Sequence, residues 1–154
     1  MSRAFSEETR EAARRLHSAA IHLLRALRRQ DVALGVGPAR LSALSVVVFG
    51  GPVTVGALAD AEQVRPPTMS RIVAALERDG LVRREPDATD GRRAHIHATA
   101  AGRRLLERGR DRRVDELAGW LGGLAAEERA HVFEAVGILE RMLAGQGAGP
   151  HRRR

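Results

Sequence analysis

A run of side chains able to read or hold a polyanion lies between positions 65 and 78, in the stretch RPPTMSRIVAALER. Met69, Ile72, Val73 and Leu76 recur at i, i+3, i+4 and i+7, the spacing of one apolar stripe on a helix. At about 100° per residue, Pro67, Arg71, Ala74 and Arg78 fall on the opposite side, with Thr68 and Ser70 on its flanks. This set suits the major groove of DNA. Arg71 can give a guanine edge two hydrogen bonds, and Ala74 lets the backbone come close. Thr68, Ser70 and the N–H groups of the first turn suit phosphates, because a helix N-terminus attracts anions. Arg65, just ahead of the helix, joins the set. An ordinary amphipathic surface helix with solvated arginines has the same pattern, and the helix alone does not separate the two.

The elements around it favour the first reading. Residues 56–63 carry a short apolar helix pattern, Pro66 and Pro67 mark a second helix start, and Gly80 stops that helix. Residues 81–85 read as a strand, residues 87–93 as a turn-rich tip, and residues 94–98 as the returning strand. Helix, turn, helix, strand, loop and strand make a winged helix-turn-helix. At the tip, Asp90 precedes Gly91, Arg92 and Arg93. Arginines on a hairpin tip suit the narrow minor groove, where the negative potential is strongest. Asp90 has two readings, one orienting an arginine and one forming the turn.

Taken together, ALA at 57–59, RPPTMSRIV at 65–73, LERDGLVRR at 76–84, DGRR at 90–93 and TAAG at 99–102 resemble the MarR family of transcriptional regulators. The resemblance runs from about residue 6 to about residue 144, in element order as well as motifs. It implies a homodimeric DNA-binding regulator, with the helix after Pro67 as recognition helix and residues 90–93 as wing tip. It also implies a small-molecule pocket bordered by the first helix. Two positions depart from the family pattern: Ala98 stands where Leu usually precedes the Thr, and Ala125 where a Ser or Thr helix cap is usual.

Composition narrows the alternatives. The chain has 154 residues, enough for one core plus association helices, and 44% hydrophobic content marks it as globular. Only 3% is aromatic, so the core must be aliphatic. A net charge of +7 favours a polyanionic partner, although the all-arginine basic content also fits genomic base composition. With no cysteine there is neither a disulfide framework nor the thiol switch that some members of the resembled family use. With no lysine there is no Schiff-base chemistry, and there is no nucleophile elbow, phosphate loop or clustered acid pair. An enzyme is not expected, nor is a cofactor. His95 and His97 are too few for a zinc site, so no metal is expected and a solvated or DNA-facing strand edge is the reading for them. No apolar run is long enough to span a bilayer, and no signal-peptide pattern opens the chain, so a cytoplasmic protein without membrane contact is expected.

The flanks read as helices. Ser6 with Glu7 and Glu8 is an N-cap, and Ala13, Leu16, Ala20, Leu23 and Leu27 form a stripe to about residue 29. His17 and His22 on this helix read first as partly exposed packing residues, with ligand contact as the second reading. Residues 35–38 read as a linker, and Pro38 opens a helix ending at Gly50 and Gly51. Residues 53–55 read as a strand that pairs with the wing. Thr99 caps a helix over residues 100–121 with six arginines between 103 and 113, which face either DNA or solvent. Val132, Val136, Leu139 and Leu143 line a last helix. The expected architecture is mainly α with a small β-wing. Residues 1–37 form a dimerisation helix and linker, 38–99 the winged helix-turn-helix domain, 100–144 the C-terminal dimerisation helices, and 145–154 a disordered basic tail. The function expected is a homodimer on double-stranded DNA with a pseudo-palindromic operator, a repressor released by a small-molecule effector. The competing expectation is an architectural DNA-binding protein without sequence reading or ligand switch.

Overall fold

Ser6 opens the first helix as expected: its Oγ accepts the Thr9 N–H at 3.2 Å, and Glu7 and Glu8 occupy the first turn, where the helix dipole favours acids. The structure is a computed structural model, which describes residues 5–86 and 94–146. Helix α1 runs Glu7–Arg28, α2 Pro38–Gly50, α3 Val55–Ala61, α4 Pro66–Arg78, α5 Ala100–Gly122 and α6 Ala126–Gln146. Strands β1 (Val53–Thr54), β2 (Val82–Pro86) and β3 (Ala94–Ala98) form an antiparallel sheet in the order β1-β3-β2. The chain is mainly helical with a small sheet, and it divides into two compact units, residues 1–114 and 115–154.

In the first unit a single aliphatic core holds α2, α3, α4, the sheet and the start of α5 together. Leu44, Leu58, Met69, Leu76 and Ile96 are its largest fully buried side chains, joined by Val47, Val73 and Val82. Packing of this kind contributes about 1.5–3 kcal/mol per fully buried side chain. Register follows from burial: Val82 pairs with Ala98 and Arg84 with Ile96 on the core side of the sheet. Arg83 then pairs with His97, and Glu85 with His95, on the other side.

Several sequence expectations needed correction. Between the first helix, expected to end at about residue 29, and the linker at residues 35–38, the chain forms a 3₁₀ helix (Arg29–Leu34) that closes on Gly35 in the left-handed region, φ 69°. Strand β2 starts at Val82 rather than Leu81, whose backbone is taken up by the turn ending α4. Helix α6 continues through Gly145 and Gln146, two residues that the sequence reading gave to the tail. His95 and His97 stand on the central strand rather than an edge, and both are half-buried. His97 Nε2 lies 3.0 Å from Glu85 Oε2, a carboxylate that also pairs with Arg83.

The second unit contains the end of α5 and all of α6. Ala125, lacking a capping hydroxyl, has its N–H accepted by Glu128 Oε2 at 3.0 Å, which is half of a capping box and offsets the missing Ser or Thr. No described side chain of α6 is buried; Phe133 is 60% exposed and Leu143 68%.

Candidate nucleic-acid interface

The helix that carries the reading residues is fixed at both ends. Pro66 and Pro67 occupy its first two positions, where a missing N–H costs nothing and φ is already helical. At the far end Gly80, at φ 70°, closes a Schellman turn: its N–H bonds Glu77 O at 2.9 Å, and Leu81 N–H bonds Leu76 O at 2.9 Å. Leu76 and Leu81 are both buried, so the turn also docks into the core.

Between these ends α4 is sharply two-sided. Met69, Val73 and Leu76 are fully buried and Ile72 half-buried. Arg65, Pro67, Thr68, Ser70, Arg71, Ala74 and Arg78 are all exposed. Among the described residues, Arg65, Arg71 and Arg78 take part in no ion pair, whereas arginines nearby are tied up. Arg84 of β2 holds Glu77 at 3.3 Å, and Arg40 of α2 holds Asp79 at 2.6 Å. Asp90, Arg92 and Arg93 lie outside the described residues.

The first turn of α4 corrects one expectation. Backbone N–H groups were expected to face phosphates there. Pro66 and Pro67 have none to offer, and the N–H groups of Thr68 and Met69 donate to Arg65 O at 2.9 and 3.1 Å. Any anion contact at this end must come from the Thr68 and Ser70 hydroxyls and the Arg65 guanidinium. The two prolines were legible in the sequence and already implied this.

The pocket that the family resemblance implies beside the first helix has a counterpart in the structure, with walls that the sequence alone does not show. A cavity of about 770 Å³ opens among the end of α1, the 3₁₀ turn, the start of α2 and α5. Leu24, Leu27, Leu41 and Leu106 give it apolar walls, and Arg28, Asp31 and Arg113 supply its charge. Arg113 Nη1 donates to Asp31 Oδ1 across 82 positions of sequence, so one of the six clustered arginines is structural. The remaining five are exposed. His17 and His22, the ligand candidates, are exposed on α1 and do not line the cavity. Among the described residues no group of three metal-binding side chains comes together, and no single helix is long and apolar enough to cross a membrane.

A helix-turn-helix whose second helix is bare on its outer side, followed by a strand pair, defines a winged-helix DNA-binding regulator. Comparison with known proteins agrees. The model of the MarR family matches residues 34–93. An HTH-type transcriptional regulator of Mycobacterium tuberculosis is 38% identical over 124 residues, spanning 80% of this chain and 87% of that protein. The crystal structure of a transcriptional regulator from Thermotoga maritima superposes with a TM-score of 0.81 at 23% identity, covering 91% of this chain and 99% of that one. A mutant of the Staphylococcus aureus protein MepR, bound to an oligodeoxyribonucleotide, superposes at 0.69 with 20% identity, covering 91% and 99%. The chain belongs to the MarR family of transcriptional regulators: it is a DNA-binding protein and not an enzyme.

Proposed function

We propose that the protein is a homodimeric cytoplasmic repressor that reads a pseudo-palindromic operator and is released by a small-molecule ligand. The observation that carries this reading is the two-sidedness of α4, with its apolar ridge fully buried and its arginine-bearing side open. Arg71 reads a guanine edge, Ala74 admits the backbone, and Thr68, Ser70, Arg65 and Arg78 hold phosphates or base edges. Arg92 enters the minor groove, where Arg93 adds positive charge, and Asp90 orients an arginine. That a structural neighbour binds an oligodeoxyribonucleotide supports the same assignment.

Two further observations support the dimer and the ligand. Leu16, Ile21, Leu23 and Leu24 on α1, and Phe133, Val136, Ile138, Met142 and Leu143 on α6, are exposed within one chain. Exposed apolar surface on this scale calls for a partner, and a second copy also supplies the second recognition helix, about 34 Å away along the duplex. The cavity falls in the size range of small-molecule sites, about 300–1,000 Å³, and its mixture of leucines with a few charges suits an amphipathic, aromatic or anionic compound.

Selection of bound fragments from random-sequence DNA tests the core of the reading. A sequence-reading dimer should prefer its selected fragment over random DNA by at least about 10³-fold, and a ratio near one would leave only the architectural alternative. Sedimentation of the free protein should give a two-chain particle. Salicylate and benzoate serve as first probes of the cavity. A ligand that favours a spacing unfit for two successive grooves should weaken binding of the selected fragment about tenfold at saturation. Unchanged affinity across a panel of such compounds would mark a constitutive binder.

A further inference from the structure

Asp79 is an odd residue for the place it occupies. As the C-cap of α4 it puts a carboxylate at the negative end of the helix dipole, where a cation or a neutral side chain would be preferred. The helix does not need it, since the Schellman turn on Gly80 already satisfies the last carbonyls. What Asp79 does have is Arg40, whose Nη1 lies 2.6 Å from its Oδ2. Arg40 sits in the first turn of α2, between Ala39 and Leu41, both of which line the cavity. Its own helix gives it a firm base: Arg40 and Leu41 N–H groups bond Gly37 O at 3.0 Å, and Ala43 and Leu44 are fully buried just beyond. Two residues back on α4, Glu77 is held by Arg84 of β2. The C-terminal turn of the helix is thus clamped on two sides, by the sheet and by α2.

We propose that Arg40 and Asp79 are a positioning pair that sets the angle of α4 for base reading. The inference rests on α4 being the reading helix. A half-exposed ion pair contributes little to stability, so its removal leaves the fold intact. Base contacts are less forgiving than folding, because hydrogen bonds to a groove edge weaken steeply with misalignment. Arg40 contacts no base in this scheme; it acts through Asp79.

Charge gives a clean test, because the two partners have opposite signs. Arg40→Gln, Asp79→Asn and the double variant are compared with the natural protein on its selected DNA fragment and on random-sequence DNA of equal length. Acting as bulk charge, loss of Asp79 would tighten binding to both DNAs, loss of Arg40 would weaken it, and the double variant, whose net charge is unchanged, would match the natural protein. Acting as a positioning pair, each single variant and the double weaken the selected fragment about fivefold relative to random DNA, with melting temperatures near that of the natural protein. Tighter binding by Asp79→Asn, or a double variant equal to the natural protein, overturns the proposal. Arg71→Ala is measured alongside. If it too leaves the preference for the selected fragment unchanged, α4 is not the reader and both readings fall. If it lowers the preference while the pair variants do not, only the positioning role is lost.

Discussion

Replacing Gly102 by alanine will destabilise the protein by about 2–3 kcal/mol, lowering its melting temperature by roughly 5–10 °C. Alanine is normally the better helix former, by about 1 kcal/mol, so the sign is reversed by packing alone. A Cβ at Gly102 would stand 2.2 Å from the backbone oxygen of Leu81 and 3.1 Å from Leu44 Cδ1. The first of these cannot be relieved by a rotamer. Leu81 O is also the acceptor of the Thr99 N–H at 3.1 Å, and the Thr99 hydroxyl donates to Gly80 O at 2.7 Å while accepting the Gly102 N–H at 3.1 Å. The start of α5 is therefore stitched to the turn that ends α4, and a methyl group at Gly102 must push the two apart. Gly56, exposed in α3, is the control: a Cβ there meets only Thr54 Oγ1 at 4.0 Å. Gly56→Ala should be neutral or stabilise slightly, by about 0.5 kcal/mol. Equal thermal denaturation midpoints for the two variants would show that the close approach at Gly102 carries no energetic weight.

That stitch also shows what the sequence could and could not disclose. The TAAG run was legible as a helix start, because a Thr before a helical stretch has one common role. Its glycine had no visible reason until Leu81 was placed against it. The same division holds elsewhere. Helix α4 was readable end to end, since Pro66 and Gly80 are local signals and the Met69, Val73 and Leu76 ridge is a periodic one. The 3₁₀ turn over Arg29–Leu34 has no such signal; it is anchored by Arg113 on Asp31, a contact made 82 residues away. The lining of the cavity beside it was not legible for the same reason, because residues 24–45 close it only against α5, through Leu106, Gly109 and Arg113. Asp79 was in plain view, yet in a sequence it reads only as the polar residue before a helix-ending glycine. Its meaning depends on Arg40, which no periodicity connects to it.

Arg71→Ala is expected to weaken binding of the selected DNA fragment by about 1–3 kcal/mol and to relax selectivity at one position in each half-site. The size follows from the chemistry of a bidentate contact, two parallel hydrogen bonds from a planar guanidinium to one guanine edge, which no other base can accept in the same geometry. The site of the effect follows from the fold. Arg71 stands mid-helix on the exposed side of α4, beside Ala74, and no carboxylate among the described residues competes for it. Arg84 is the informative contrast. It is equally cationic and lies on the neighbouring strand, but Glu77 holds it at 3.3 Å, so Arg84→Ala should loosen the seat of α4 without changing which base is preferred at any one position. Phosphate-holding residues differ again: losing one should lower affinity for all sequences alike and reduce the salt dependence by about one ion. A binding-site selection run on each variant separates the three cases. Arg71 loses its place as the base reader if its alanine variant returns the same site preference as the natural protein.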